Sequence, residues 1–191
     1  GENGLINLKK LCLDGGQYEC LVDSTAYLVA RHVFESLMYM KLWLLKLKEI
    51  CNGFLPPGCF NQLQGVELYS IRALKCLWKG SVKPPSLCNL RSIGVRFCNE
   101  ITTLFSQSAL KCLVKLQKIV VASCINFERI VLREESLTEE VLELPQLKAL
   151  TLSYTNYIGF GPDDDKAVAF FDQVYLLSLS PSLSLSLFKC V

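Results

Sequence analysis

One apolar pattern, repeated along the chain, limits the fold more than any other feature of the sequence. In the stretch LRSIGVRFCNEITTLFSQS, residues 90–108, apolar residues stand at 90, 93, 95, 98, 101 and 104. Most steps span three residues, but the step from Ile93 to Val95 spans two. A helix keeps a period of 3.6 throughout, whereas a step of two is typical of a strand. The pattern therefore predicts a short strand followed by an extended segment that returns across the core.

The same pattern recurs at near-constant intervals, which indicates an internal repeat. The positions equivalent to 93 are 11, 40, 66, 119 and 150, so that neighbouring positions are 29, 26, 27, 26 and 31 residues apart. Most of these intervals lie in or near the ~20–29 residues of leucine-rich repeats. One such unit cannot bury its apolar face alone, whereas stacked units can. We therefore predict an α/β repeat solenoid: a leucine-rich-repeat horseshoe with a parallel β-sheet on the concave face and an irregular or short helical convex side.

The repeats are predicted to occupy residues 1–158, as about six units with a period of about 26–31 residues. The pattern ends at residue 159, and residues 159–191 are interpreted as a non-repeat tail. The Leu/Ser-rich end of this tail alternates like a strand but is low in complexity. A disordered tail, an edge strand and an imperfect gene model all stay open. Because residue 1 is Gly and the first methionine is Met38, we expect a fragment of a longer chain.

The cysteines favour a reducing compartment. The chain has 10 cysteines and no Asn-x-Ser/Thr acceptor for glycosylation, and a free cysteine commonly behaves as a small buried hydrophobe. We therefore expect a cytoplasmic protein with free thiols. Cys98 and Cys124 stand where the chain turns away from the strand, and we expect each to fill that turn and to satisfy backbone hydrogen bonds.

Little in the sequence points to an enzyme or to a cofactor or metal site. His32 is the sole histidine, and neither a phosphate-binding loop nor a C-x-x-C pair occurs. The net charge of +2 gives no electrostatic case for nucleic acid, and no apolar run reaches the ~20 residues of a membrane span. We predict no catalytic, cofactor-binding or metal-binding residues. A cysteine nucleophile, which thiol labelling would reveal, is the enzyme hypothesis that stays open.

A partner-binding surface is predicted from the strand positions that point away from the core. If the register is right, one column of side chains reads Cys12, Lys41, Glu67, Gly94, Val120 and Thr151. The next column reads Asp14, Trp43, Tyr69, Arg96, Ala122 and Ser153. Tryptophan, tyrosine and arginine are enriched at binding hot spots. We predict a concave-face site at Lys41, Trp43, Glu67, Tyr69 and Arg96; the competing interpretation is that Trp43 packs on a neighbouring loop.

The segments between the predicted strands resemble a known family. The phrases LKEICNGFLPPGCFNQL (47–63), LKCLWKGS (74–81), ITTLFSQS (101–108) and CINFERIV (124–131) are similar to the C-terminal leucine-rich repeats of plant disease-resistance proteins. The likeness is to the coiled-coil nucleotide-binding (NBS-LRR, NLR) class and covers roughly residues 34–158.

The resemblance implies the effector-sensing and autoinhibitory region of an intracellular immune receptor. The implied partner is a protein: a pathogen effector, a guarded host protein, or the receptor's own switch domain. ADP or ATP would bind a nucleotide-binding domain that this chain does not include, so no cofactor is expected here. The alternative is the substrate-recruiting repeat domain of a ubiquitin-ligase adaptor.

Overall fold

A computed structural model describes residues 5–25, 33–132 and 142–153, together with the backbone of two strands at 177–179 and 184–188. His32 and most of the tail 159–191 lie outside the described residues. The predicted division of the chain at residue 158 stays a prediction.

One long parallel sheet, here called the main sheet, collects a strand from each successive turn of the chain. It has seven strands in the order β1-β3-β5-β7-β9-β12-β14. These strands are β1 (Lys10–Asp14), β3 (Tyr39–Trp43), β5 (Gly65–Tyr69), β7 (Ser92–Arg96), β9 (Lys118–Ala122), β12 (Ala149–Ser153) and β14 (Ser184–Phe188). Each of these strands is five residues long, and neighbours in space come from successive turns, so the chain is a solenoid as predicted.

The register of the main sheet confirms the repeat that the sequence predicts. Ile93 pairs with Val66 on one side and with Ile119 on the other. Met40 pairs with Val66 and Leu11, and position 150 pairs with Ile119. The side chains of one strand alternate between the two faces of a sheet, and the second and fourth residues of the central strands are buried. The repeat therefore builds one continuous apolar ladder.

The segments that return from the main sheet are more regular than predicted. They contain the strands β2 (Cys20–Asp23), β4 (Glu49–Asn52), β6 (Cys76–Trp78), β8 (Thr103–Ser106), β10 (Arg129–Leu132), β11 (Leu142–Leu144) and β13 (Leu177–Leu179). These strands form three short parallel sheets, β2-β4, β6-β8-β10 and β11-β13. In the described residues the helical part is one short helix, α1 (Gln107–Cys112).

Burial on both faces explains why the return forms strands. All four residues of β8 are buried, and Trp78 and Phe105 are 3% and 0% exposed as members of the apolar core. Backbone N–H and C=O groups between two covered faces are shielded from water and must pair with each other. The extended return is thus confirmed, and its pairing is a consequence of the second covered face.

The stretch 90–108 shows how the mixed period works. The six residues of its periodic apolar pattern are all at most 1% exposed; they are Leu90, Ile93, Val95, Cys98, Ile101 and Leu104. The step of two falls inside β7, where alternate residues face the core. The steps of three carry the chain around the turn and along the return, so that each apolar side chain again meets the core.

A left-handed backbone turn follows the main-sheet strands. The residues after β1, β3, β5, β7 and β9 all have φ between 52° and 72°; they are Gly15, Leu44, Ser70, Phe97 and Ser123. Each donates its N–H to the last carbonyl of the next main-sheet strand, at 2.8–3.0 Å. This row of hydrogen bonds extends the sheet by one residue and directs every turn toward the return.

Candidate functional site

The face of the main sheet that points away from the core, here called the outer face, carries the two columns predicted from the sequence. Lys41 pairs with Cys12 and Glu67, and Glu67 pairs with Gly94. In the second column Tyr69 lies between Trp43 and Arg96, at the ends of β3, β5 and β7. All five predicted site residues therefore lie on three neighbouring strands. Whether a partner binds them stays a prediction.

The centre of the outer face contains an ion pair. Lys41 Nζ lies 3.2 Å from Glu67 Oε2, and the two side chains are 38% and 53% exposed. A pair as exposed as this contributes little to folding, because water screens it and both long side chains lose freedom. Its effect is to make this part of the surface nearly neutral.

The guanidinium of Arg96 lies across a glycine. A Cβ built on Gly94 would lie 3.0 Å from Arg96 Nη1, so the missing side chain makes room for the arginine. Arg96 makes no ion pair with any residue in the described part of the chain. An arginine held flat on a sheet, with its charge unpaired, can offer two parallel N–H donors to a carboxylate.

Aromatic side chains border the arginine at the end of the strands where the chain turns. The rings of Tyr69 and Phe97 are 4.9 Å apart at 56°, and the two residues are 40% and 47% exposed. Leu44, at the equivalent turn position of the preceding strand, is 51% exposed. Trp43 is partly buried, so its indole both packs and faces solvent. Sequence reasoning missed Phe97 and Leu44, which follow the strands; an apolar residue directly after each predicted strand is the signal that could have found them.

The turn-filling role predicted for two cysteines is confirmed. Cys98 and Cys124 are 0% exposed. Cys98 Sγ accepts a hydrogen bond from the N–H of Ile71 at 3.4 Å and donates to the carbonyl of Arg96 at 3.3 Å. Cys124 Sγ donates to the carbonyl of Ala122 at 3.4 Å. The two thiols thus satisfy backbone groups under the outer face and help to fix the position of Arg96.

In four cysteines the pKa of the thiol is raised. Burial raises the pKa of Cys51 and of Cys76 to about 11 each, and it raises the pKa of Cys112 to about 11. Burial also raises the pKa of Cys59. A nucleophilic cysteine needs a lowered pKa, because the thiolate is the reactive form. These four thiols therefore stay protonated at neutral pH.

In the part of the chain that the structure describes, no group of three or more His, Cys, Asp or Glu side chains could hold a metal ion. The same residues contain no helix that is long and apolar enough to cross a membrane.

Comparison with known families gives a match to part of the chain. Residues 49–125 match the family model described as plant disease resistance protein RPS2-like, leucine-rich repeats. The matched segment runs from β4 through the turn after β9, so it includes Glu67, Tyr69 and Arg96 but not Lys41 or Trp43. No curated protein and no solved structure matches the chain.

Proposed function

Because residues 49–125 match a model of leucine-rich repeats of the plant disease-resistance kind, we propose that the outer face recognises a protein partner in an immune receptor. The observation that carries this proposal is the alignment of Trp43, Tyr69 and Arg96 on adjacent strands of one rigid sheet. Their spacing is about 4.8 Å from strand to strand, so one partner segment can contact all three.

The composition of the outer face suits a protein partner. Tyr69 and Phe97 offer exposed aromatic area, and aromatic residues and arginine dominate the binding energy of protein interfaces. Because the hydrogen-bonded strands hold these groups in place, little conformational entropy is lost on binding. The unpaired guanidinium of Arg96 favours a partner segment with a carboxylate next to an apolar side chain.

The partner would be a pathogen effector, a guarded host protein or the switch domain of the same receptor. In the last case the contact would hold the receptor inactive until an effector displaces it. ADP or ATP would then bind the switch domain and not this chain, and the receptor would act in the cytoplasm. The family match does not favour the alternative of a ubiquitin-ligase adaptor.

Affinity purification from plant leaf tissue, with quantitative mass spectrometry, tests the proposal. The wild-type chain is compared with Trp43→Ala and Arg96→Glu, which remove an aromatic contact and reverse a charge on the outer face. We expect both variants to lose the same captured protein, by tenfold or more, since hot-spot truncations cost about 2 kcal/mol or more.

Two matched variants on the return side serve as controls. Phe54→Ala removes an exposed aromatic residue, and Arg129→Glu reverses the charge of a partly exposed arginine. Both controls should capture the partner as the wild type does. If the outer-face variants retain it while a return-side variant loses it, the proposal is wrong.

A further inference from the structure

Besides the five residues of the candidate site, a second group of charges lies where β7, β9 and β12 begin. Arg91 and Lys148 stand directly before β7 and β12, and Lys118 is the first residue of β9; all three are exposed. The N–H of Lys118 donates to the carbonyl of Arg91 at 3.0 Å, and the N–H of Lys148 donates to the carbonyl of Gln117 at 2.8 Å. These three cations, here called the basic border, therefore lie side by side along one end of the outer face.

The register of the main sheet fixes the spacing of the positive charges. Lys118 pairs with Ser92 of β7 and with Ala149 of β12, so the basic border crosses three adjacent strands, or about 10 Å. Arg96 ends β7, and an extended chain rises ~3.3 Å per residue, so its backbone is about 17 Å from that of Arg91. Basic groups therefore stand at both ends of the same strand.

No described carboxylate neutralises these charges. The basic border and Arg96 make no ion pair with any described residue, and β7, β9 and β12 contain neither Asp nor Glu. The acids Glu100 and Glu143 lie outside these strands, in the turn after β7 and in β11. This half of the outer face is therefore positive, whereas Lys41 and Glu67 neutralise each other in the other half.

The surface between the two ends of the strands leaves room for a partner segment. Its middle column consists of Gly94, Val120 and Thr151, where the preceding strands carry longer side chains. The rings of Tyr69 and Phe97 are exposed beside it. A segment of another protein can therefore lie close to the sheet here, with cations at both of its ends and aromatic rings along one side.

From these observations we infer that the partner of the outer face contributes an acidic, extended segment that lies along β7. The inference rests on the proposed function and adds the chemistry of the partner. One carboxylate would bind Arg96 and a second the basic border, and about five residues of extended chain span the ~17 Å between them. Exposed ion pairs are weak one by one, but complementary charges speed association and fix the orientation of the partner.

Selection from random dodecapeptides displayed on phage tests this chemistry, with the full chain as the target. One variant reverses the basic border: Arg91→Glu, Lys118→Glu and Lys148→Glu. The control reverses three exposed and unpaired charges between the turn after β5 and the loop after β6: Arg72→Glu, Lys75→Glu and Lys79→Glu. All six side chains are exposed, so both variants should unfold at the urea concentration of the wild type.

We expect the wild type and the control to select peptides enriched in Asp and Glu at two positions about five residues apart. The border variant should lose this enrichment. In fluorescence anisotropy it should bind the most enriched peptide at least about tenfold more weakly than the wild type does. The control variant should bind that peptide as tightly as the wild type.

Several results would overturn the inference: selected peptides without acidic enrichment, equal enrichment by the border variant, or equal loss of binding in the border and control variants. Poly-uridine RNA that binds the wild type as tightly as the peptide would also overturn it, since the face would then bind any polyanion. The capture experiment with Trp43→Ala and Arg96→Glu separates the two proposals. If those variants lose the captured protein while the selection shows no acidic preference, the partner is not acidic and the proposed function stands.

Discussion

At the scale of single residues, two exposed apolar side chains beside the outer face stand on an unfavourable backbone conformation. Leu44 and Phe97 adopt φ values of 52° and 56°, a left-handed conformation that costs a residue with a side chain about 1–2 kcal/mol. Both side chains are about half exposed, so their burial offsets little of this conformational free energy. Large apolar side chains at such positions are better suited to contact with a partner than to folding.

The cost of the left-handed turn can be measured by Leu44→Asn. Asparagine tolerates this conformation better than leucine, and the leucine side chain is 51% exposed. We expect the free energy of unfolding in urea to rise by about 0.5–1 kcal/mol. Val114→Asn is the control, because Val114 is 45% exposed and is not among the residues with positive φ. An equal change in both variants would show that the turn carries no strain.

At the scale of secondary structure, one residue joins the return strand β8 to the helix α1. Ser106 ends β8 and caps α1: its Oγ accepts the N–H of Ala109 at 3.3 Å and donates to the carbonyl of Gly80 at 3.2 Å. The residue is 2% exposed, so water cannot replace these bonds. This serine therefore connects a strand, a helix and the loop that follows β6.

Removing this cap should destabilise the protein. Ser106→Ala leaves the N–H of Ala109 and the carbonyl of Gly80 without that partner, and we expect the free energy of unfolding to fall by about 1–2 kcal/mol. Ser81→Ala, an exposed serine in the same loop, should change it by less than about 0.5 kcal/mol. If the two variants unfold at the same urea concentration, the cap does not stabilise α1.

The main-sheet strands could be predicted from the sequence, whereas the return strands could not. The step from Ile93 to Val95 repeats in each turn and signals alternation directly. In the return the apolar residues are three apart, and that spacing shows only which side chains face the core. Strand pairing there depends on burial of both faces of the strand, as in β8, and this is a property of the folded chain.

The candidate site was predictable only in part for the same reason. Register follows from equal spacing, so the neighbours of Tyr69 could be read from the repeat. The contact of Phe97 with Tyr69 depends on a left-handed turn, which leucine and phenylalanine rarely adopt.

At the scale of the whole molecule, partly buried thiols make stability depend on pH. Burial raises the pKa of Cys51 and of Cys76 to about 11, whereas an unfolded cysteine titrates near ~8.5. Between these values the unfolded chain loses the proton and the folded chain keeps it, so the unfolded state binds fewer protons. The stabilisation is fully present below about pH 8.5 and is lost as the pH rises toward 11.

We therefore expect the free energy of unfolding to fall between about pH 8 and about pH 11. The double variant Cys51→Ala, Cys76→Ala should be less stable at neutral pH, since two partly buried side chains become smaller, but its stability should fall less steeply with pH. Urea unfolding at several pH values measures both slopes. Parallel slopes for wild type and variant would contradict the assignment of the pH dependence to these thiols.

The central claim is that one side of the solenoid, the outer face of the main sheet, is the side that meets a protein partner. Photo-crosslinking in plant cells tests it most directly, with a benzophenone amino acid placed either at Glu67, in the middle of the outer face, or at Phe54, on the return side. Both positions are exposed, so reagent access is matched. We predict a covalent adduct to one protein from position 67 and none from position 54; an adduct from position 54 with none from position 67 would contradict the claim.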